Sequence, residues 1–588
     1  MPVPFDITLG GSPVEHIERL CLSEAAFEHA ECRLRIPVSP SEYNWLKTLK
    51  QQIGVALVVK DGQGKMVFSG LITSLSFMDI YVEAVAHSNS WKLDQVVRTR
   101  TYLNMSCAAI VKQVFADHGV QVEQAGNLPA GVFVSKTQYN ETDYHFALRL
   151  ATSHGITIFN VADKTILAVP PYSGNSGTIR VEQIDHSRVE ISARLCPFAR
   201  AHQSHNYLVQ RDHTTKITAE PQPPNQDVHE AALDASKRLG GQASLSYGLE
   251  FRQKGQLEDY SKAVAEYRIA QMVTVAAYVT EAALGVSMLA SFDEKSAAVG
   301  DRAPILKGKY VVSRRGLDYG VGDGTATNRL WMNNAAYRLP PPAVSLSFDL
   351  TTLENALVES VDDDKALGRV KVQLPWQKKN EAIYARVPHR TGGADHGHLV
   401  LPHKGDEVLV AFEQGDPDKP VVVGAAYHEE AKPQAYQQPE KEWFLGYTKD
   451  GTLIKIDDRD GKQMNILLCV GDQTGASPTA QIKIDKANKD ILIKSDNTVH
   501  VMAAKQVFVE GTNLVDIKSA KEVVVTGTQK VDIKSSQEVS VTGTQAVKIA
   551  SSTKVEINGG ALLELKAVQV KIDAQAQMQL QAPMILIN

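Results

Sequence analysis

Cut every eight residues, residues 507–562 read VFVEGTNL, VDIKSAKE, VVVTGTQK, VDIKSSQE, VSVTGTQA, VKIASSTK and VEINGGAL. Every octad opens on valine, and a second apolar residue follows two places on. The pairs are Val507 and Val509, Val515 and Ile517, Val523 and Val525, Val531 and Ile533, Val539 and Val541, and Val547 and Ile549. Val555 with Ile557 and Leu563 with Leu565 continue the beat. A spacing of two is that of side chains on one face of a strand. A short period repeated many times predicts a solenoid, because one strand cannot bury its own face and a stack can. Alternate octads carry Gly511, Gly527, Gly543 and Gly559, and glycine permits corner geometry. These apolar pairs are therefore expected to form the core of a rod.

The beat extends in both directions. Upstream it reaches back through Val499 and Val501, Ile491 and Ile493, and Ile482 and Ile484. From 481 onward there is room for about 13 octads, which at roughly 4.7 Å per strand gives a rod on the order of 60 Å long. Beyond Leu565 the apolar set moves to even positions, from Ile572 through Ala574, Ala576, Met578 and Leu580 to Leu586. A one-residue slip inverts the facing of a strand, so a bulge or corner is predicted between Lys566 and Val570. Pro583, Met584, Ile585, Leu586, Ile587 and Asn588 would form an apolar, open-edged end that invites a partner.

Ahead of the rod the pattern is mixed. VALVVKD (55–61), MVFSGLITSLSF (66–77) and DIYVEAVA (79–86) are β-rich runs, so residues 1 to about 100 read as mainly strands. Helices are predicted over 105–118, with Ser106 a cap and Gly119 a stop, over 141–154 with Gly155 a stop, and over 257–272. Leu339-Pro340-Pro341-Pro342 marks a boundary. Residues 343–430 hold VKVQLPW, VLVAF and VVVGAAY between polar loops, which suits a small five-stranded barrel. Residues 431–480 read as a polar connector with one hairpin-like segment, and 481–588 as the β-helical spike.

Composition narrows the function. The chain has 588 residues and a net charge of −5, which argues against a strongly basic nucleic-acid binder. Five scattered cysteines (Cys21, Cys32, Cys107, Cys196 and Cys469) form no CxxC and read as free thiols. MPVPFDITLG lacks a signal-peptide pattern, so export is expected to need a dedicated machine. The apolar stretch 272–290 is broken by Glu281 and reads as buried strands.

LGRVKVQLPW (367–376) and GDEVLVAFEQGDPDKPVVVGAAYH (405–428) resemble the OB-fold module of VgrG spike proteins of type VI secretion, relatives of contractile-phage hubs and spikes. The positions that carry it are Gly368, Arg369, Val370, Trp376, Gly405, Glu407, Gly415, Asp416 and Pro417. ETDYHFALRLATSHGITIFN (141–160) and TNRLWMNNAAYRLPPP (327–342) resemble the family's hub region. The segment after the prolines lacks the family's glycine-rich opening, and the OB loop lacks its usual tryptophans. The resemblance implies a mainly β chain with some α: phage-hub-like β-barrel subdomains with helical elements over 1–342, an OB fold, and a C-terminal trimeric triangular β-helix.

It further implies a homotrimeric puncturing spike without catalysis of its own. Its partners would be baseplate components, an Hcp tube, a PAAR-type tip protein, non-covalently carried effectors, and a membrane crossed by penetration. The spike would assemble in the bacterial cytoplasm and be translocated outward. An extracellular contractile particle or a phage tail is the alternative machine, and a cell-wall hydrolase spike the more distant one.

The chemical motifs lead nowhere stronger. His389, His396, His398 and His403, with Asp395, cluster without a zinc-ligand spacing and read as loop histidines. Gly320-x-Gly322-x-Gly324 lacks the following helix of a phosphate loop. A 50-residue connector is too short for an inserted lysozyme domain. No catalytic residue, metal ligand or cofactor is therefore assigned.

Overall fold

Arg315 and Glu24 are 291 residues apart, yet the arginine donates to the carboxylate at 3.1 Å with both side chains buried. They sit opposite each other on strands Tyr310–Gly320 and Arg19–Ala25. That pairing closes a thirteen-stranded sheet. Its N-terminal part runs from Phe5–Leu9 to Tyr81–Ser88, and Val273–Val279, Tyr310–Gly320 and Thr325–Asn334 return to it. Alternate residues point inward, as in Leu20 and Leu22 beside Cys32 and Leu34, and pack with Phe68 and Tyr319.

The computed structural model describes residues 5–39, 44–172, 176–179, 184–194, 200–206, 211–216, 244–247, 254–279, 284–292, 308–322, 324–341, 352–394, 396–432, 442–448, 451–457, 465–471, 477–485 and 488–587, with Asp234, Arg238 and Leu306. Cys196, Asp395 and Asn588 lie outside them. Cys21, Cys32, Cys107 and Cys469 are free thiols. Among the described residues no helix is long and apolar enough to cross a membrane. The chain divides into two units, 1–433 and 434–588.

Four α-helices are delimited in the first unit among the described residues. Helix α1 (Trp45–Gln52) falls in the region read as mainly strands, where no helix was singled out. Helix α2 (Cys107–Ala116) starts where Ser106 Oγ accepts from the Ala109 amide, and Gly119 follows at φ +71. Helix α3 (Asp143–Ser153) is capped by Thr142, which accepts from the His145 amide at 3.1 Å. Its predicted start at Glu141 is two residues early, because Glu141 and Thr142 close strand Val132–Thr142. Helix α4 (Lys254–Met272) runs directly into strand Val273–Val279.

The ETD motif is a structural knot. Asp143 is fully buried and accepts from His118 at 2.6 Å, Gln138 at 2.8 Å and Arg100 at 3.1 Å. Glu141 pairs with Arg149 at 2.6 Å. Gly155 ends the helix at φ +70, and a side chain there would strike Arg338 within 2.4 Å. Arg338 belongs to the YRLPPP segment, whose Leu339 amide also donates to the Tyr172 hydroxyl at 3.0 Å. The two hub-like segments read from the sequence are thus in contact.

Residues 354–425 form a five-stranded sheet in the order Ile383–Ala385, Val370–Gln373, Glu354–Ser360, Glu407–Phe412, Pro420–Ala425. It closes on itself where Arg386 donates to Pro420 and accepts from Val422. Val358, Val370, Val372, Val408 and Val410 fill the interior.

The second unit departs from expectation at its start. The stretch read as a polar connector holds strands Glu442–Tyr447, Leu453–Asp457 and Asn465–Val470. They continue through Ala480–Asp485 into Asp490–Ser495 as one antiparallel meander. The expected boundary at 481 therefore falls inside a sheet. The missed signal was the apolar run of NILLCV and the Ile-Lys-Ile alternation of LIKID, separated by polar loops.

Past Ser495 the picture changes. Among the described residues no further strand pairs within the chain, and residues 496–587 are all exposed. Bends recur every eight residues, at 504–505, 512–513, 520–521, 528–529, 536–537, 544–545 and 552–553. Ion pairs join residues two apart, such as Lys530 and Lys534 with Asp532 and Lys554 with Glu556, so even positions share a polar side. Lys566 with Glu564 is the last even pair, and Lys571 with Asp573 is odd. The polar side therefore changes parity between 566 and 571, the place where the apolar pattern slips.

Candidate functional site

The chemistry-bearing residues of the first unit converge where the hub region meets the OB barrel. Strand Val132–Thr142 pairs with Val97–Ser106 as a two-stranded ribbon, with a bulge between Gln138 and Glu141. The bulge re-aims the end of the ribbon. Tyr139 lies edge-on to Trp376 at 5.2 Å and tilted against Phe412, and its hydroxyl donates to Glu354. Gln377 donates to Thr101 at 3.1 Å.

Lys136 and Asp418 hold the centre of this contact. The GDPDKP turn is fixed by its own backbone: Gly415 takes φ +70, and the Asp418 amide donates to the Asp416 carboxylate at 3.0 Å. That leaves the Asp418 side chain facing the ribbon. One carboxylate oxygen accepts from the Thr137 amide at 2.6 Å, and the other meets Lys136 Nζ at 2.5 Å. Burial works against the Lys136 ammonium, but Asp418 and Asp416 outweigh it and hold its pKa above the ordinary lysine value. An ion pair largely shielded from water is strong in geometry and costly to break on one side. The arrangement makes and breaks no covalent bond; it locks two sheet systems together.

The OB positions named from the sequence divide into roles. Arg369 is buried and grips Asp363 at 2.5 Å and Asp364 at 2.8 Å, stacked over the Tyr384 ring. Arg369, with the Lys365, Arg369 and Leu367 amides, holds the Asp363 carboxyl well below the usual carboxylate range, against the cost of burial. Gly368 and Gly405 take φ +70 and +91 at the ends of that loop system. Val370 is core, Glu407 sits opposite Leu357, and Trp376 faces the ribbon. Pro417 is buried in the turn. The sequence reading stopped one residue short of Asp418, and nothing local marked Lys136 as its partner. A second acid in GDPDKP was the available signal.

The histidines do not gather: His396 bonds the Ala394 carbonyl, and His403 lies 3.8 Å from Asp406. Among the described residues no three His, Cys, Asp or Glu side chains converge as a metal site. The named octad residues lie on the odd side of the repeat in an exposed stripe, with Val507 at 51 % and Val509 at 71 % exposure. Leu586 and Ile587 are exposed at 83 % and 86 %.

Residues 33–315 match the phage tail baseplate hub family, and residues 354–427 match the type VI secretion system and phage-baseplate injector OB domain. The chain is therefore of the hub-and-injector class of contractile tails. Type VI secretion system spike protein VgrG5 of Pseudomonas aeruginosa is 34 % identical over 16 % of this chain and 14 % of that protein. VgrG3 of Vibrio cholerae is 31 % identical over 22 % of this chain and 12 % of its own. The chain belongs to the VgrG spike family. It spans less than a sixth of the length of the curated relatives it matches. A chain of the half-lidded Francisella PdpA–VgrG complex shares the fold, with a TM-score of 0.52 at 9 % identity over 83 % of this chain and 87 % of that one.

Two outcomes follow from the junction. Asp418→Ala leaves Lys136 without its main partner and is expected to destabilise the first unit by about 3–5 kcal/mol. The double variant Lys136→Met, Asp418→Leu should recover most of that loss in a denaturant titration. Asp363 favours folding in its ionised form, so its contribution is whole above the unfolded carboxylate value of about 3.9 and fades as pH falls below it. Asp363→Asn should lower stability at pH 7 and flatten the acid limb of a pH–stability curve below about pH 4.

Proposed function

We propose that this chain is one wall of a homotrimeric puncturing spike, driven through a membrane by a contractile machine and acting without catalysis of its own. One observation carries the reading: the octad stripe exposes apolar side chains at a fixed period and finds no strand partner within the chain among the described residues. Apolar stripes of that length are stable only when covered. Three copies of the stripe, facing inward, would bury it and supply the missing backbone hydrogen bonds.

The hub region would seat on the baseplate and an Hcp-type tube, and the Lys136–Asp418 junction would tie the OB barrel to that base. Residues 584–587 would receive a PAAR-type cap, with effectors carried on it or held non-covalently. Assembly in the cytoplasm and passage outward with the machine fit this reading. The names of the VgrG relatives support it, as does the use of the buried charges of the first unit in structural pairs.

Mass photometry of the full chain should give three times its 64.2 kDa mass. Val531→Asn with Val547→Asn should shift the population toward single chains, since each buried valine is worth about 1.5–3 kcal/mol. A wild-type chain that stays single at micromolar concentration overturns the trimer. Leu586→Asp with Ile587→Asp should keep the trimer and abolish capture of a PAAR-type protein; unchanged capture would remove 583–588 as the docking surface.

A further inference from the structure

The octad repeat has a hidden degeneracy. Its true period is sixteen, because two corner types alternate. At Gly511, Gly527 and Gly543 a side chain would meet the carbonyl three residues on at 2.5–2.6 Å. At Ser519, Ser535 and Ser551 the hydroxyl instead accepts from the amides two and three residues on. The second apolar residue alternates in step, Val in one octad and Ile in the next, from Val509 to Ile549. Within 507–557 a chain shifted by sixteen residues along its fellows would meet the same residue classes, and only the flanking rungs and the parity change between 566 and 571 would register the error, so the octads themselves do not select one alignment.

The meander of 442–495 has what the repeat lacks. Cross-strand pairing aligns Ile456, Ile466, Ile484 and Ile491 in one row. A second row on the same face holds Ile454, Leu468, Ile482 and Ile493. The other face is mixed, with Lys483, Asp485 and Lys494 beside Leu467 and Leu492 and the buried Leu453 and Cys469, so the isoleucine-rich face is the one left outward. Ile491 and Ile493 are 67 % and 59 % exposed. They also stand eight residues before Val499 and Val501, so the outer strand of the meander is the first beat of the octads. The apolar face is thus continuous with the stripe that three chains are proposed to share. The sheet is bounded at five strands, so an axial shift of two rungs leaves part of its face unmatched.

We propose that this face packs against the same face of two further copies and sets the axial register of the rod. The proposal rests on the trimeric reading above. The clasp offers a bounded match that a shifted chain makes only in part, so the first octads start aligned and the rest follow.

The test uses the full chain with a nitroxide on a ketone amino acid in place of Ser551, read by pulsed electron spin resonance. The wild type should give one inter-label distance. Ile482→Asn with Ile493→Asn should keep a three-chain mass and add a second population, offset axially by roughly 9 Å, two rungs of the stack. Val531→Asn, within the repeat, should keep the single distance. Because the clasp variant can fail to fold, hydroxyl-radical footprinting of the wild-type trimer gives a second reading: Ile482, Ile491 and Ile493 should be protected. A single distance in the clasp variant, or full reactivity of those isoleucines in a wild-type trimer, overturns the clasp and leaves the trimer standing. A single-chain mass for the wild type sinks the trimeric reading itself.

Discussion

The constraint that organises this protein is an apolar stripe that no strand of its own chain covers among the described residues. A β-strand shows one face every two residues, and the octads place valine or isoleucine on that face at every beat. In most domains the chain turns back and supplies the opposing wall, as it does in the thirteen-stranded sheet and the OB barrel. Along 496–587 the bends follow one another without such a return among the described residues. The Gly and Ser corners keep each step eight residues long by two different means. The glycine corner has no room for a side chain, and the serine corner satisfies two backbone amides.

The first unit is held by long-range polar locks placed where sheets adjoin. Arg315 with Glu24 ties the return strands to the N-terminal meander, and Lys136 with Asp418 ties the hub ribbon to the OB turn. Asp143, ringed by Arg100, His118 and Gln138, fixes helix α3 against the same ribbon. Shielded ion pairs add little net stability over apolar packing, but they tolerate few alternative geometries. Titratable groups that would suggest catalysis in a cleft serve here as fasteners.

Much was legible in the residues. Ser106 and Gly119 marked helix α2 to within two residues, and the parity change after Leu565 located the break that the ion pairs confirm at 566–571. The meander was not legible as such. LIKID and NILLCV are short and separated by polar loops, so local pattern did not distinguish a five-stranded sheet from a loose connector. Helix α1 was missed in a stretch dominated by strand-forming neighbours.

The sequence by itself determined the period of the repeat, its corner residues, the order of hub, OB module and repeat, and the helix caps, because each of these is a local rule of spacing or backbone conformation. It could not determine that Asp418 meets Lys136, that Glu24 meets Arg315, or that Gly155 must be small to admit Arg338. Those partners are brought together by sheet closure across as many as three hundred residues, and only the tertiary structure chooses which face of one strand looks at which face of another.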